Sequence, residues 1–333
     1  MTSTSRKTVR LPGASGAISD HSLNRLIGIL IAVIAIGLPA IGLVYYADRH
    51  VDGGGSIVER TIAAAEEAVR AEPNRLSVRL ALASAYAAAE RHADAATQFG
   101  VVIDAEPNNQ AARLGRGDAL RALGQLDAAA LDYQAIVDIV SDTDAEVVSR
   151  RLEAAYYGLA VIALEQNRPR DAATQLANAL NIDRTDADAL NLMGTALIAI
   201  GDLPNAVDAL RDAVALVPTG WCEPYVQMNQ AYTGLGDADG AAYAAGMTAL
   251  CEGRTGDAND LLEPLAGGRY GRDALIGLAL SAEQSGDATA AAAFYQRVYD
   301  ADPTDFAAIT GLSRLGVAVS TAEPVGSPAA GEP

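Results

Sequence analysis

The feature that most limits how this chain can fold is a pattern that returns every 34 residues. The segments AEEAVRAEP and GVVIDAEP end at Pro73 and Pro107, 34 positions apart. Ahead of the second proline stand Ala95, Phe99 and Val102. The same spacing returns as Ala172, Leu176 and Ala179, as Ala206, Leu210, Ala213 and Pro218, and as Ala291, Tyr295, Val298 and Pro303. Steps of three and four place each set on one helical face. Upstream of each set runs another helical stretch, in which a large residue stands beside a small one and a further core residue follows. Examples are Leu82-Ala83-Tyr86, Met193-Gly194-Leu197 and Leu278-Ala279-Ala282. A period of this length made of two helices denotes stacked hairpins. One hairpin cannot bury its apolar face alone, so neighbours stack, and Ala or Gly at the crossings lets the backbones approach.

These residues resemble the tetratricopeptide repeat family, whose pattern sets a large residue, Leu-Gly, Tyr, Ala, Phe, Ala and Pro at fixed offsets. Full units fall near 76–109, 110–143, 153–186, 187–220, 222–255 and 272–305. The unit at 187–220 matches best, through Leu190, Met193, Gly194, Leu197, Ala206, Leu210, Ala213 and Pro218. The unit at 222–255 is the poor one: Asn229 stands where Gly or Ala is usual, and Gly253 where Pro is usual. The resemblance implies an all-α solenoid of antiparallel helix pairs over 58–318, closed by capping helices. It also implies a scaffold that binds peptides or proteins and does no chemistry of its own. The register breaks at 144–152, which lengthen the following helix, and at 256–271, which read as a loop with one short helix. Residues 319–333 read as a disordered tail.

Residues 26–47, LIGILIAVIAIGLPAIGLVYYA, contain no charge. A run of about 20 apolar residues spans a bilayer as a helix. The expectation is therefore a single N-terminal transmembrane helix between a basic tail (1–25) and a Gly-rich linker (48–57). The run is longer than a secretory signal core and lacks a small-x-small cleavage site, so it reads as an uncleaved anchor. Arg6, Lys7, Arg10 and Arg25 precede it and Arg49 follows, which keeps the N-terminus inside. This sets a single-pass protein in the cytoplasmic (inner) membrane, the lipid bilayer as one partner, and the repeats outside. That layout is similar to anchored repeat proteins of bacterial cytochrome c maturation, though not specifically so.

Charge and composition exclude other classes. Residues 51–333 hold 19 Arg and no Lys against 40 carboxylates. Nucleic-acid affinity rests on neutralising phosphates, so a nucleic-acid partner is excluded. The histidines His21, His50 and His92 are too scattered to converge on a metal, and Ser84 and Ser281 have no His to activate them. No enzyme, cofactor or metal is expected. Asp94, Asp171 and Asp202 begin or precede second helices, where carboxylates suit the free N–H groups and the dipole.

The resemblance further implies that the first helix of each unit lines a concave groove for a protein or peptide ligand. On that register the groove receives Asp118, Arg121, Tyr157, Leu164, Asn191, Thr195, Val226, Gln230, Ile276 and Leu280. Some family members grip a terminal carboxylate with a clamp of basic residues; Arg79, Arg113 and Arg116 fall at other positions. Cys222 and Cys251 bracket one hairpin, whose first and last turns meet at the same end, so a disulfide is expected if the repeats face an oxidising compartment. The functional expectation is a membrane-tethered adaptor or assembly scaffold. The alternative is a structural subunit of a larger cell-envelope complex, packed through its membrane helix or convex face.

Overall fold

In the structure, a computed structural model, residues 56–140, 147–217 and 219–318 are described. The chain divides into two units, Met1–Ala64 and Ala65–Pro333. Of the first, only the opening of helix α1 (Ile57–Ala71) is described. It starts with a reciprocal cap: the Glu59 N–H donates to Ser56 Oγ at 3.2 Å and the Ser56 N–H donates to Glu59 Oε2 at 2.8 Å.

The second unit continues α1 and runs through α2 (Leu76–Ala88), α3 (His92–Ala105), α4 (Gln110–Ala122), α5 (Leu126–Val140), α6 (Val147–Glu165), α7 (Pro169–Ile182), α8 (Ala187–Ile200) and α9 (Leu203–Leu216). It goes on as α10 (Glu223–Leu235), α11 (Ala238–Cys251), α12 (Thr255–Leu262), a 3-10 turn (Glu263–Leu265), α13 (Gly271–Gln284), α14 (Ala288–Ala301) and α15 (Phe306–Arg314). From α2 onward, each helix packs on the next. The even-numbered helices α2 to α10 also touch one another in series.

The small residues of the repeat act through what they lack. The Tyr133 ring of α5 is fully buried between two glycines. A Cβ on Gly117 of α4 would sit 2.7 Å from it, and one on Gly158 of α6 would sit 2.6 Å from it. Leu210 seats on Gly194 in the same way, at 2.5 Å, and Tyr295 on Gly311, at 2.5 Å. Phe99 lies against Gly115. The turn inside each pair calls for a left-handed residue, supplied by Gly201 at φ +83° and Gly236 at φ +70°. Two units pay a strain cost there, with Glu90 at φ 57° and Asn167 at φ 56°.

A polar staple repeats at the same period. Arg79 Nε donates to the Pro73 carbonyl at 2.9 Å, and Arg113 Nε to the Pro107 carbonyl at 2.7 Å. Arg113 and Arg116 also converge on the buried Asp132 carboxylate, at 3.1 and 2.7 Å. The capping expectation is corrected in detail. Asp94 and Asp171 lie in first turns, where they bond to Arg91 and Arg168, and Asp202 accepts from Asn205. Side-chain caps come instead from Asn109, Asp186, Asp237, Asp287 and Asp305.

The irregular unit of α10 and α11 has its own fastenings. Cys222 and Cys251 form a disulfide with Cα atoms 5.5 Å apart. Closing a loop of that length contributes about 3–4 kcal/mol on the chain-entropy account. Asn229 Nδ2 donates to the Ala241 carbonyl at 2.8 Å, so the larger side chain is bonded across the crossing. Tyr243 stacks on Tyr270 at 5.9 Å, and Tyr225 and Tyr232 add edge contacts to the pair. Beyond this unit, α12 and the 3-10 turn occupy much of the stretch read as a loop with one short helix. They change which helices meet: past α10, α11 touches α13. The odd-numbered layer thus takes over the close contacts.

The transmembrane expectation is corrected. Among the described residues no helix is long and apolar enough to cross a membrane. The longest, α6 with 19 residues, carries Arg150, Arg151, Glu153 and Glu165. A span needs about 20 residues without such charges. The run 26–47 lies outside the described residues, as do the tail 1–25, most of the linker 48–57 and the segment 319–333. The membrane helix, the single-pass inner-membrane topology with repeats outside, the bilayer as partner, the tether in the functional reading and the likeness to anchored repeat proteins are not supported and are set aside. So is packing into an envelope complex through a membrane helix.

Because Tyr133 is held from both sides, its ring has no direction in which to yield. Gly158→Ala is expected to cost about 1–3 kcal/mol through overpacking. Chemical denaturation measures this, and an unchanged midpoint would show that the ring does shift.

Candidate functional site

The ten groove residues inferred from the repeat register do not share one surface. Asp118 and Arg121 on α4 are drawn into packing. Tyr133 donates from its hydroxyl to Asp118 Oδ1 at 2.6 Å, and Arg121 lies 3.9 Å from Glu165. Tyr157 and Leu164 on α6 are half-buried against the alanine-rich core of α6 to α8. Asn191 and Thr195 stand four residues apart on α8, hence on one face. Thr195 Oγ1 donates to Gln227 Oε1 at 3.0 Å, which links α8 to α10. Val226 and Gln230 on α10 are exposed. These residues follow the even-numbered layer. Ile276 and Leu280 are on α13, in the odd-numbered layer, and line a different concavity.

Within the even-layer groove Asn191 stands out. Its side chain is buried, 7 % exposed, and its Oδ1 has no hydrogen-bond partner. An unpaired buried acceptor costs on the order of 1–3 kcal/mol. The N-terminal end of this groove is acidic. Burial first, then a hydrogen bond to Asp186 and the charges of Asp186 and Asp183, push the Glu153 carboxyl up to about 7. Burial, followed by Asp188 and Asp186, also raises the Tyr157 hydroxyl above its ordinary value. Asp186 itself is fixed, since it caps α8 by accepting from the Ala189 N–H at 3.0 Å. The arginines considered for a clamp, Arg79, Arg113 and Arg116, are committed to the staples described above.

The second concavity is a cleft of about 840 Å³ walled by α9, α11, α13 and α15. Its floor is apolar, with Val214, Met247, Leu250, Ile276 and Leu280, and Arg211, Arg272 and Arg314 stand around it. Sequence reasoning placed Ile276 and Leu280 but missed this cleft. The helix before α13, α12, falls in the stretch read as a loop with one short helix. Among the described residues no group of His, Cys, Asp and Glu could hold a metal ion.

The Glu153 proton is held more tightly by the folded chain than by the unfolded one. The resulting stabilisation is complete below the pKa of an unfolded Glu, about 4.3, and is lost as pH rises through about 7. Glu153→Gln is therefore expected to raise stability at pH 8 and to flatten the decline between pH 5 and 8. Denaturation midpoints across that range measure both. The same slope in variant and parent would remove Glu153 as its source.

Comparison with known proteins identifies the repeat. The tetratricopeptide repeat family model matches residues 80–143, 153–220 and 243–306, together more than half of the chain. Its third match begins inside α11 and so passes over α10, where the register changes. No curated protein matches. Among solved structures, the crystal structure of MamA is similar at 20 % identity and a TM-score of 0.46, over 53 % of this chain and 96 % of that one. MamA 41-end from Desulfovibrio magneticus RS-1 is similar at 17 % identity and a TM-score of 0.48, over 54 % and 96 %. YrrB, described as a TPR protein with an unusual peptide-binding site, is similar at 14 % identity and a TM-score of 0.46, over 60 % and 92 %. The chain belongs to the tetratricopeptide repeat family, a class of scaffolds that bind rather than catalyse.

Proposed function

We propose that this chain is a scaffold that holds a segment of a partner protein in the groove of α6, α8 and α10. The observation that carries this reading is the buried, unpaired Oδ1 of Asn191. An extended segment laid along the groove offers backbone N–H donors, and one of them would satisfy it once the amide, covered in the free chain, turns outward. Tyr157 on the neighbouring helix supplies an aromatic face, which contributes area at low entropic cost. Thr195 and Gln227 form the far wall, already bonded to each other and therefore ordered. The carboxylates around Glu153 favour a neutral or basic residue of the partner at that end.

A photo-crosslinker placed at Thr195 identifies the partner segment in cells. Its affinity for the purified chain then tests the site. Replacing Tyr157 and Asn191 by Ala is expected to weaken binding at least 10-fold. Asn191→Ala alone should leave the free chain as stable or more so, because it removes an unpaired acceptor. Unchanged affinity in a folded double variant would place the partner elsewhere.

A further inference from the structure

The cleft between α9, α11, α13 and α15 uses the opposite layer of helices from the groove above, and its ion pairs are built in an unusual way. Arg211 bonds to Asp273 at 3.1 Å, Arg272 to Asp305 at 2.8 Å and to Asp273 at 2.7 Å, and Arg314 to Glu283 at 2.6 Å. The carboxylates are sunk: the side chains of Asp273, Asp305 and Glu283 are 15, 7 and 21 % exposed. The guanidinium groups stand out, at 49, 57 and 50 %. What the cleft presents to a ligand is thus guanidinium, held in place from beneath. Such groups favour carboxylates, which they bind through paired N–H donors.

The spacing follows from α13. Asp273, Ile276, Leu280 and Glu283 form one stripe along this helix, at steps of three and four. Ten residues at 1.5 Å each put its charged ends about 15 Å apart. Arg211 and Arg272 share the Asp273 end, and Arg314 marks the Glu283 end. Between them lie Ile276 and Leu280, and Phe306 stands 80 % exposed at the margin. We propose that this cleft is a second docking surface, whose occupant is a polypeptide segment with two carboxylates about 15 Å apart and large apolar side chains between them. In an extended strand, residues four apart share one face and lie about 13 Å apart, close to that span. Residues 51–333 taken together repel such a segment, with 19 Arg against 40 carboxylates, so the exposed guanidinium groups of the cleft are where it can settle. The Cys222–Cys251 bond braces the wall, since Gly220 and Cys251 both line the cleft.

The single tryptophan, Trp221, follows the lining residue Gly220 in sequence, and its fluorescence serves as the reporter of occupancy. The probe is acetyl-Gly-Glu-Leu-Leu-Leu-Glu-Gly-amide, whose two Glu share one face of an extended strand, with the Lys-for-Glu peptide as its counterpart. We expect saturable binding of the acidic probe, at least 10-fold tighter than the basic one. Phe306→Ala, at an exposed position, should weaken it about 10-fold with unchanged thermal melting; Arg211→Gln, which also gives up the bond to Asp273, should weaken it about 10-fold at temperatures below its own melting transition. The Tyr157→Ala, Asn191→Ala double variant should leave it intact, which separates this surface from the groove. No saturation at millimolar acidic probe, equal binding of both probes, or indifference to both folded cleft variants would overturn the proposal. So would self-association abolished by Phe306→Ala, because it would assign the cleft to a second copy.

Discussion

A large side chain resting on backbone that lacks a Cβ is the contact on which the rest of this molecule depends. Tyr133 shows it most fully, buried between Gly117 and Gly158, with its hydroxyl tied to Asp118. The ring reaches both neighbouring first helices at once, so it joins a helix pair to the next pair. Leu210 on Gly194 and Tyr295 on Gly311 repeat the device with different shapes. Alanine elsewhere in the crossings buries little area per residue, so the wedges carry much of the packing between helices. Because each wedge touches only adjacent helices, stability should be a sum of local terms.

This dependence explains which parts of the fold were legible in the sequence. Ala-Phe-Val and Met-Gly-Leu spacings record wedge and seat directly, and helices over 76–105 or 187–216 follow from them. Capping was less legible. Asp94 and Asp171 occupy first turns, but the side-chain caps fall to Asn109, Asp186, Asp237, Asp287 and Asp305, whose position relative to the first turn is a matter of a residue or two. The run 26–47 has the hydropathy of a span, but hydropathy records only how a segment partitions, and no described helix crosses a membrane. The residues expected in the groove divide between two layers. Asn191 and Thr195 share a face by simple periodicity, whereas Ile276 and Leu280 were carried to another layer by α12. A repeat register counts residues, not helices, and one inserted helix changes the layer while leaving the motif intact.

The same insertion separates two surfaces of different character, the face of α6, α8 and α10 and the cleft walled by α9, α11, α13 and α15. The even-layer groove is acidic at its N-terminal end and contains a buried acceptor. The odd-layer cleft exposes guanidinium over sunk carboxylates. In each of its ion pairs the acid is the buried partner, so the pair serves to orient the arginine as much as to join helices. The arginines cross between walls, from α9 to α13, from α13 to α15 and from α15 back to α13. The cleft is held open by the groups that give it its charge. The disulfide and the tyrosine cluster of the α10–α11 unit stand at the point where one layer hands over to the other, where the repeat pattern itself is weakest.

The central claim is that wedges couple neighbours and only neighbours. Native-state hydrogen exchange of the full chain carrying Tyr133→Ala tests it most directly. The account predicts that amide protection falls in α4, α5 and α6, while α10 to α14 keep theirs. Loss of protection spread evenly from α2 to α15 would contradict it, because it would make the array a single cooperative body in which no contact acts locally.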